Sequence, residues 1–64
     1  MDFVKGDKVV PKSNEVTSLS GKYHTHTDLI YTVLFCGVRH QNLILKLTIF
    51  GDRVLFRPSD FKKV

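Results

Sequence analysis

The sequence predicts an all-β fold, a single small antiparallel barrel of about five short strands. Segments rich in β-branched and aromatic residues follow one another over residues 29–57, and most of them alternate apolar and polar side chains with a period of two. Turn-forming pairs separate these segments, among them Gly6-Asp7 and Gly51-Asp52. Because short strands in one open sheet leave exposed edges, we expect the sheet to close into a barrel.

Length and composition exclude several classes of protein. The 64 residues form one domain, residues 1–64, because so short a chain cannot divide its buried surface between two cores. The single cysteine, Cys36, cannot form an internal disulfide. The N-terminal residues lack the apolar segment of a signal peptide, and the longest apolar run, residues 29–36, is too short to span a bilayer. We therefore expect a cytoplasmic protein that does not bind membranes.

The N-terminal half contains one predicted strand and one long loop. Residues 8–12 follow the turn Gly6-Asp7 and form the first strand. Pro11 places this strand or its end at a sheet edge, because proline cannot donate a backbone hydrogen bond. Residues 13–27 are polar and rich in Ser and Thr, and we expect a long loop that is ordered only in part. Loops of this length in small domains are usually functional or mobile.

Two longer strands follow this loop. Residues 29–38 form a central strand with two apolar faces, and Gly37 is well placed for a bend or a bulge. Residues 39–42 then turn into a strand over residues 43–50, where the period of two is clear. The inward side chains of this strand are Leu43, Leu45, Leu47 and Ile49.

The C-terminal residues complete the predicted sheet. After the turn at Gly51-Asp52, residues 53–57 form a short strand with Val54 and Phe56 directed inward. The pattern RPSDF, residues 57–61, is typical of a 3₁₀ turn that returns its aromatic residue to the core, and residues 62–64 can add a last short strand.

The two ends of the chain resemble a known fold. The segment FVKGDKVVP, residues 3–11, resembles the opening of KOW, Tudor-like and CarD-type RNA-polymerase-interacting domains, and FRPSDFKKV, residues 56–64, resembles the last 3₁₀ turn and strand of SH3 folds. This resemblance implies an SH3-like barrel that acts by binding, in transcription or another nucleic-acid-handling process. Very small barrels that stand alone also resemble accessory proteins of phage genomes, which often bind a host protein.

Basic residues are predicted to cluster on the outer side of the meander. Ten Lys and Arg against six Asp and Glu give a net charge of +4, which favours acidic partners when the charges lie on one face. Such a face could neutralise nucleic-acid phosphates, although Phe35, Phe50 and Phe56 resemble core residues and leave few aromatic side chains to stack on bases. Solvated charges that protect strand edges are the simpler interpretation. The residues concerned are Lys22, Tyr23, Arg39, Lys46, Arg53 and Arg57.

Apolar residues share this outer side with the charges. The alternation directs Ile44, Phe50 and Leu55 to the side that carries Lys46 and Arg53. An apolar cluster surrounded by basic residues is typical of a protein-binding surface or a homodimer contact. The predicted partner-binding residues are Ile44, Lys46, Arg53, Leu55 and Arg57.

No catalytic, metal or cofactor site is predicted. His24 and His26 point the same way on an extended segment and could share a metal ion with His40 or Cys36, but zinc requires four well-placed ligands, so exposed loop histidines are the ordinary interpretation. Cys36 lies in an apolar strand, where a thiol is usually inert even with His40 nearby. The acidic residues lie mainly at turns and form no acid–base pair.

The sequence thus predicts a non-enzymatic binding module that holds a protein partner on its basic and apolar strand face. Direct binding of nucleic acid by the same basic residues is the alternative. The two are separated by salt, because phosphate contacts weaken steeply as the salt concentration rises and an apolar contact does not.

Overall fold

The computed structural model describes residues 3–26 and 28–64 and confirms the all-β prediction. Five strands and the 3₁₀ turn lie within two residues of their predicted positions. No helix in this part of the chain is long and apolar enough to span a membrane. The elements are β1 (Lys8–Pro11), β2 (Glu15–Thr17), β3 (His24–His26), β4 (Tyr31–Arg39), β5 (Asn42–Ile49), β6 (Asp52–Phe56), the 3₁₀ turn (Pro58–Asp60) and β7 (Phe61–Lys63).

Five of the strands form one antiparallel sheet in the order β6-β5-β4-β1-β7, and β2 and β3 form a separate hairpin. Short turns join β4, β5 and β6 into the predicted meander, and β7 returns to pair with β1. Over residues 3–26 and 28–64, the end strands β6 and β7 are not paired with each other. The all-β antiparallel arrangement is therefore confirmed, and closure into a barrel is not.

The first strand lies inside the sheet between β4 and β7, and its end at Pro11 lies beyond the pairing with β4, in agreement with the prediction that this strand or its end lies at a sheet edge. β1 pairs with β4 through Lys8 and Val9 and with β7 as far as Pro11. The N–H of Lys12 donates to Asp60 O, so the preceding Pro11 directs its nitrogen away from β7. The pairing with β4 has ended by this residue, and the sheet loses no hydrogen bond to the proline.

The predicted irregular loop contains the β2–β3 hairpin, which the sequence pattern did not reveal. Val16 and Thr25 pair across this hairpin and are both buried, and Thr25 Oγ1 donates to Val16 O over 3.2 Å. The N–H of His26 donates to the hydroxyl of Tyr31 over 3.3 Å and ties the hairpin to β4. Each strand has a single inward side chain, too few for a period of two to be visible. Thr27, the last residue of the predicted loop, lies outside the described residues.

A β-bulge in β4 changes which side chains point to the core. The register against β5 shifts between Val33 and Phe35, so Leu34 is an extra residue in this strand. The shift turns Cys36 toward the core and Phe35 away from it, and Phe35 is 44% exposed. The expectation of Phe35 in the core is therefore wrong, and the bulge lies before Gly37 rather than at it.

The core confirms most of the predicted inward side chains. Phe56 and Phe61 meet edge to face with ring centroids 5.3 Å apart, as expected of a 3₁₀ turn that returns Phe61 to the core. The prediction that Leu43 and Phe50 lie in the core is wrong. Leu43 is exposed near the start of β5, and Phe50 is 95% exposed at the β5–β6 turn. Within the described residues, the buried core consists of Phe3, Val9, Val16, Tyr31, Val33, Leu45, Leu47, Ile49, Val54, Phe56 and Phe61.

Candidate partner-binding surface

The outer face is the side of β4, β5 and β6 that points away from the core. Directly paired residues of neighbouring strands point to the same side, so the register defines this face. Lys46 pairs with Phe35 on β4 and with Leu55 on β6, which places these three side chains in one row. The outer face carries Phe35, Arg39, Asn42, Ile44, Lys46, Thr48, Arg53, Leu55 and Arg57. It therefore includes all five residues predicted to bind a protein partner.

Ile44 lies on the outer face but is only 3% exposed. Its partner on β4 is Gly37, and the ring of Phe35 lies over this glycine. A Cβ atom on Gly37 would be 2.7 Å from Cζ of Phe35, so the ring occupies the place of a Gly37 side chain. Gly37 thus allows an aromatic ring to lie across the outer face beside Ile44. The expectation of an exposed Ile44 is wrong for this reason.

A groove of about 780 Å³ opens on the outer face and is named here the arginine groove. Ile44 and Leu55 are among its apolar lining residues. At one end the β4–β5 turn brings His40 into the groove, and His40 and Gln41 have positive φ values of 52° and 66°. Such angles in non-glycine residues are uncommon and cost conformational energy. The other lining residues are Leu19, Arg39, Asn42, Leu43, Arg57, Pro58 and Ser59.

A smaller pocket of about 290 Å³ lies further along the same face and is named here the lysine pocket. Lys5, Lys46 and Arg53 line it together with Leu34 and Phe35. Lys5 reaches this position from the turn before β1, where Gly6 has a φ of 94° and its N–H donates to Val33 O over 2.8 Å. Three cations therefore surround one exposed aromatic ring.

The cations of the outer face have no carboxylate partner among the described residues. The ion pairs in residues 3–26 and 28–64 join Lys63 to Asp7 and His24 to Glu15, on other parts of the molecule. Asp52, the acidic residue of β6, is also engaged elsewhere, since it accepts a hydrogen bond from the hydroxyl of Tyr23. The outer face is therefore electropositive without internal neutralisation, which favours an anionic partner.

The loop between β2 and β3 borders the outer face along β6. The N–H of Leu19 donates to Leu55 O over 2.9 Å, so the loop covers part of this sheet edge. The hydroxyl of Tyr23 donates to Asp52 Oδ2 over 3.2 Å. This hydrogen bond and the negative charge of Asp52 raise the pKa of Tyr23 above its ordinary value. The loop thereby forms one wall of the arginine groove through Leu19.

The structure brings together four of the six residues predicted to bind nucleic acid. Arg39, Lys46, Arg53 and Arg57 share the outer face. Lys22 is exposed in the bordering loop and lines neither the groove nor the lysine pocket. Tyr23 packs against the core with its hydroxyl bound to Asp52, and its half-buried side chain lines a separate depression together with Arg53 and Leu55. Of the lining residues that sequence reasoning missed, Lys5, Leu19 and Pro58 lie outside the predicted strands, whereas Leu34, Phe35 and Leu43 lie within them.

The histidines and the cysteine do not assemble into a reactive site. His24 Nδ1 lies 3.2 Å from Glu15 Oε1, and His24 and His26 share the exposed side of β3 as expected. Within the described residues, no three His, Cys, Asp or Glu side chains lie close enough to hold a metal ion. Cys36 packs against the core, whereas His40 lines the groove on the opposite side of the sheet, so the two do not form a nucleophile–base pair.

No protein-family model, curated protein or solved structure matches this chain. The resemblance of residues 3–11 and 56–64 to SH3-like domains therefore stays a prediction. A function is therefore inferred from the geometry and the charge of the outer face.

Proposed function

We propose that this protein is a non-enzymatic binding module that holds a protein partner on its outer face. The observation that carries this proposal is the arginine groove, whose apolar lining includes Ile44 and Leu55 and whose polar lining includes Arg39 and Arg57. Apolar depressions with arginine at the rim have the composition of a protein interface centre. A nucleic-acid surface would not need this apolar lining.

The size and lining of the groove suit a side chain of a partner. The volume of about 780 Å³ accommodates at least one large apolar residue together with its backbone. Complete burial of one Leu, Ile or Phe side chain contributes about 1.5–3 kcal/mol to binding before the costs of association. Leu55 is half-buried and can lose further surface to a partner, whereas Ile44 is already buried and serves as a fixed support.

We also propose that the sheet is the strand arrangement of an SH3-like barrel. Two features support this: β7 pairs with β1, and a 3₁₀ turn (Pro58–Asp60) precedes β7. The likeness of residues 3–11 to the opening of KOW and CarD-type domains then makes transcription, or another nucleic-acid-handling process, the expected context. An accessory protein of a phage that binds a host protein fits the same proposal.

A second candidate function is binding of single-stranded nucleic acid, and the lysine pocket favours it. Phe35 is partly exposed between Lys5, Lys46 and Arg53, so one base could stack on its ring while the cations contact phosphates. This combination was absent from the sequence prediction, which placed Phe35 in the core. The candidate ranks second because no further exposed aromatic side chain adjoins Phe35 among the residues that line the pocket.

Affinity capture from a cell lysate tests both candidates. The tagged protein is used with and without nuclease, at low and high salt, beside the variants Leu55→Asp and Val64→Asp. Val64 is a matched control because it is exposed at the C-terminal end, away from the outer face, and its substitution changes the net charge equally. We expect one protein to be recovered regardless of nuclease, to be retained at high salt by the apolar contact although the charge contacts weaken, and to be lost with Leu55→Asp but not with Val64→Asp.

The other outcomes replace the proposal with a definite alternative. Nucleic acid that is recovered at low salt and lost at high salt would make the second candidate correct. Recovery of the protein's own untagged chain, lost with Leu55→Asp, would make the outer face a homodimer contact. A partner retained equally by both variants would place binding on another surface and reject the outer face.

A further inference from the structure

We infer that the lysine pocket is a carboxylate-binding subsite, so that the segment held on the outer face is an acidic, extended stretch of the partner protein. The inference rests on the proposed function and adds the chemistry of the partner. Lys5, Lys46 and Arg53 supply the cations, and the arginine groove beside them takes an apolar side chain.

The three cations of the lysine pocket come from different parts of the chain. Lys5 precedes β1, Lys46 lies in the middle of β5, and Arg53 lies near the start of β6. Like charges on neighbouring strands repel each other, and no described carboxylate lies close enough to pair with any of the three. An anion in the pocket would relieve this repulsion. Lys46 is half-buried, so a carboxylate there would be less screened by solvent than at a freely exposed lysine.

The two depressions lie in register with an extended peptide. On the outer face, Ile44 and Lys46 are two residues apart on β5, a distance of about 7 Å along the strand. An extended segment parallel to β5 repeats its side-chain orientation with the same spacing. A partner residue that inserts into the arginine groove therefore places the side chains two and four residues away at the lysine pocket. Phe35 lies beside this path and can contact the intervening apolar atoms.

The same geometry disfavours a nucleic acid strand as the occupant. Binding of single strands uses successive aromatic platforms along a charged path. Phe35 is the aromatic residue that lines the lysine pocket, and the arginine groove has a single aromatic ring, the imidazole of His40, at its β4–β5 end. The groove instead presents Leu19, Leu43 and Leu55, which suit an aliphatic or aromatic side chain of a protein.

Selection from a displayed library of random linear peptides against the whole protein tests the inference. Enriched peptides are synthesised with a fluorescent label, and each is paired with a copy in which Asp and Glu become Asn and Gln. Affinities are measured by fluorescence anisotropy for the wild-type protein, the double variant Lys46→Gln/Arg53→Gln, Leu55→Asp, and the control Lys62→Gln. Lys62 is an exposed lysine on β7 and tests for a general effect of lost charge.

We expect the enriched peptides to carry an apolar residue with Asp or Glu two or four positions away. Replacement of the acids by amides should weaken binding to the wild-type protein by about fivefold or more, the upper range for one solvent-accessible ion pair. The double variant should bind both forms of the peptide equally, whereas Lys62→Gln should preserve the difference.

Three results would overturn the inference, and they can be told apart. Peptides that require Leu55 but show no acidic enrichment, and that bind the double variant normally, would reject the subsite and leave the proposed function standing. Acidic peptides that bind Leu55→Asp as well as they bind the wild type would reject the inference that one peptide occupies both the arginine groove and the lysine pocket. No enriched peptide, together with Phe35-dependent binding of a single-stranded oligonucleotide, would reject both the inference and the proposed function.

Discussion

The inner and outer faces of β4, β5 and β6 are built from alternating residues of the same strands, yet they differ in what surrounds them. On the inner face Leu45, Leu47 and Phe56 have no exposed surface. On the outer face Phe35 and Leu55 stand in a row with Lys46 and remain partly exposed. The buried part of the inner face is apolar, whereas the outer face mixes apolar and basic side chains.

This difference separates stability from binding within one sheet. The inner side chains are already buried, so their free energy of transfer from water contributes to folding. The outer apolar side chains still have surface to bury, and their charged neighbours keep the uncovered face soluble. Changes on the inner face should therefore reduce the free energy of unfolding, and changes on the outer face should reduce affinity with little effect on folding.

The largest effect on stability is expected from Phe56→Ala on the inner face. Phe56 is completely buried and its ring contacts Phe61, so the change removes apolar contact and leaves a cavity. We expect a loss of about 3–5 kcal/mol, which is most of the stability of so small a domain. Urea denaturation followed by circular dichroism measures it. Phe50→Ala is the matched control, because the ring of Phe50 is 95% exposed. Equal effects of both changes would contradict the inner-face assignment.

Leu55→Asp should show most clearly that the outer face contributes to partner affinity rather than to stability. Leu55 lies between the core residues Val54 and Phe56 in sequence but points outward, so the charged side chain can reach water. We expect a stability loss below about 1.5 kcal/mol and a loss of partner affinity of at least about 2 kcal/mol, the size of an interface hot spot. Denaturation and binding are measured on the same sample.

Unfolding by Leu55→Asp would contradict this assignment. It would mean that the strand is displaced by one residue, which exchanges the inner and outer side chains. Leu47→Asp should unfold the protein under the same conditions, because Leu47 is completely buried, and it shows what a true inner-face charge does.

Much of the fold could be predicted because strands longer than four residues show their period. The alternation in β5 and β6 predicts the observed core residues Leu45, Leu47, Ile49, Val54 and Phe56, and fails only near the start of β5, where Leu43 is exposed. Turn chemistry was equally informative, since the turn predicted at Gly6-Asp7 is present, with Gly6 at a φ of 94° and Asp7 accepting a hydrogen bond from the N–H of Val4. The β2–β3 hairpin was missed because strands of three residues are too short for periodicity.

The candidate surface was only partly predictable for a related reason. A β-bulge changes the side of the sheet to which every later residue of the strand points, and no residue type around Leu34 predicts a bulge there. Phe35 was therefore assigned to the core, and the lysine pocket was not foreseen. Lys5 and Leu19 lie far from β5 and β6 in sequence, and only the chain path brings them to the outer face. The alternation did predict the five residues that share this face.

Gly37→Ala should alter the outer face without disturbing the inner one. The new methyl group would lie 2.7 Å from Cζ of Phe35, so the ring must leave its position over Gly37. We expect a loss of about 1 kcal/mol or less, because the ring is the mobile end of a partly exposed side chain. In the Phe35→Ala background the same change should stabilise the protein by about 0.5–1 kcal/mol, the usual gain when glycine is replaced in a strand. Urea denaturation of the wild type, Gly37→Ala, Phe35→Ala and the double variant measures this reversal in the sign of the stability change. The same sign in both backgrounds would contradict the contact between the Phe35 ring and Gly37.

The smallest effect is expected at the β5–β6 turn, where the backbone rather than a face is tested. Phe50 and Gly51 have φ values of 50° and 84°, a conformation that favours Asn-Gly over Phe-Gly. Phe50→Asn should therefore stabilise the protein by about 0.5–1 kcal/mol. Phe50→Ala removes the ring but keeps the strained angle, so the difference between the two variants isolates the backbone term. If Phe50→Asn and Phe50→Ala have equal stability, the backbone strain at Phe50 is negligible. If Phe50→Asn is the more stable variant and its affinity for the partner also falls, the exposed ring of Phe50 belongs to the binding surface.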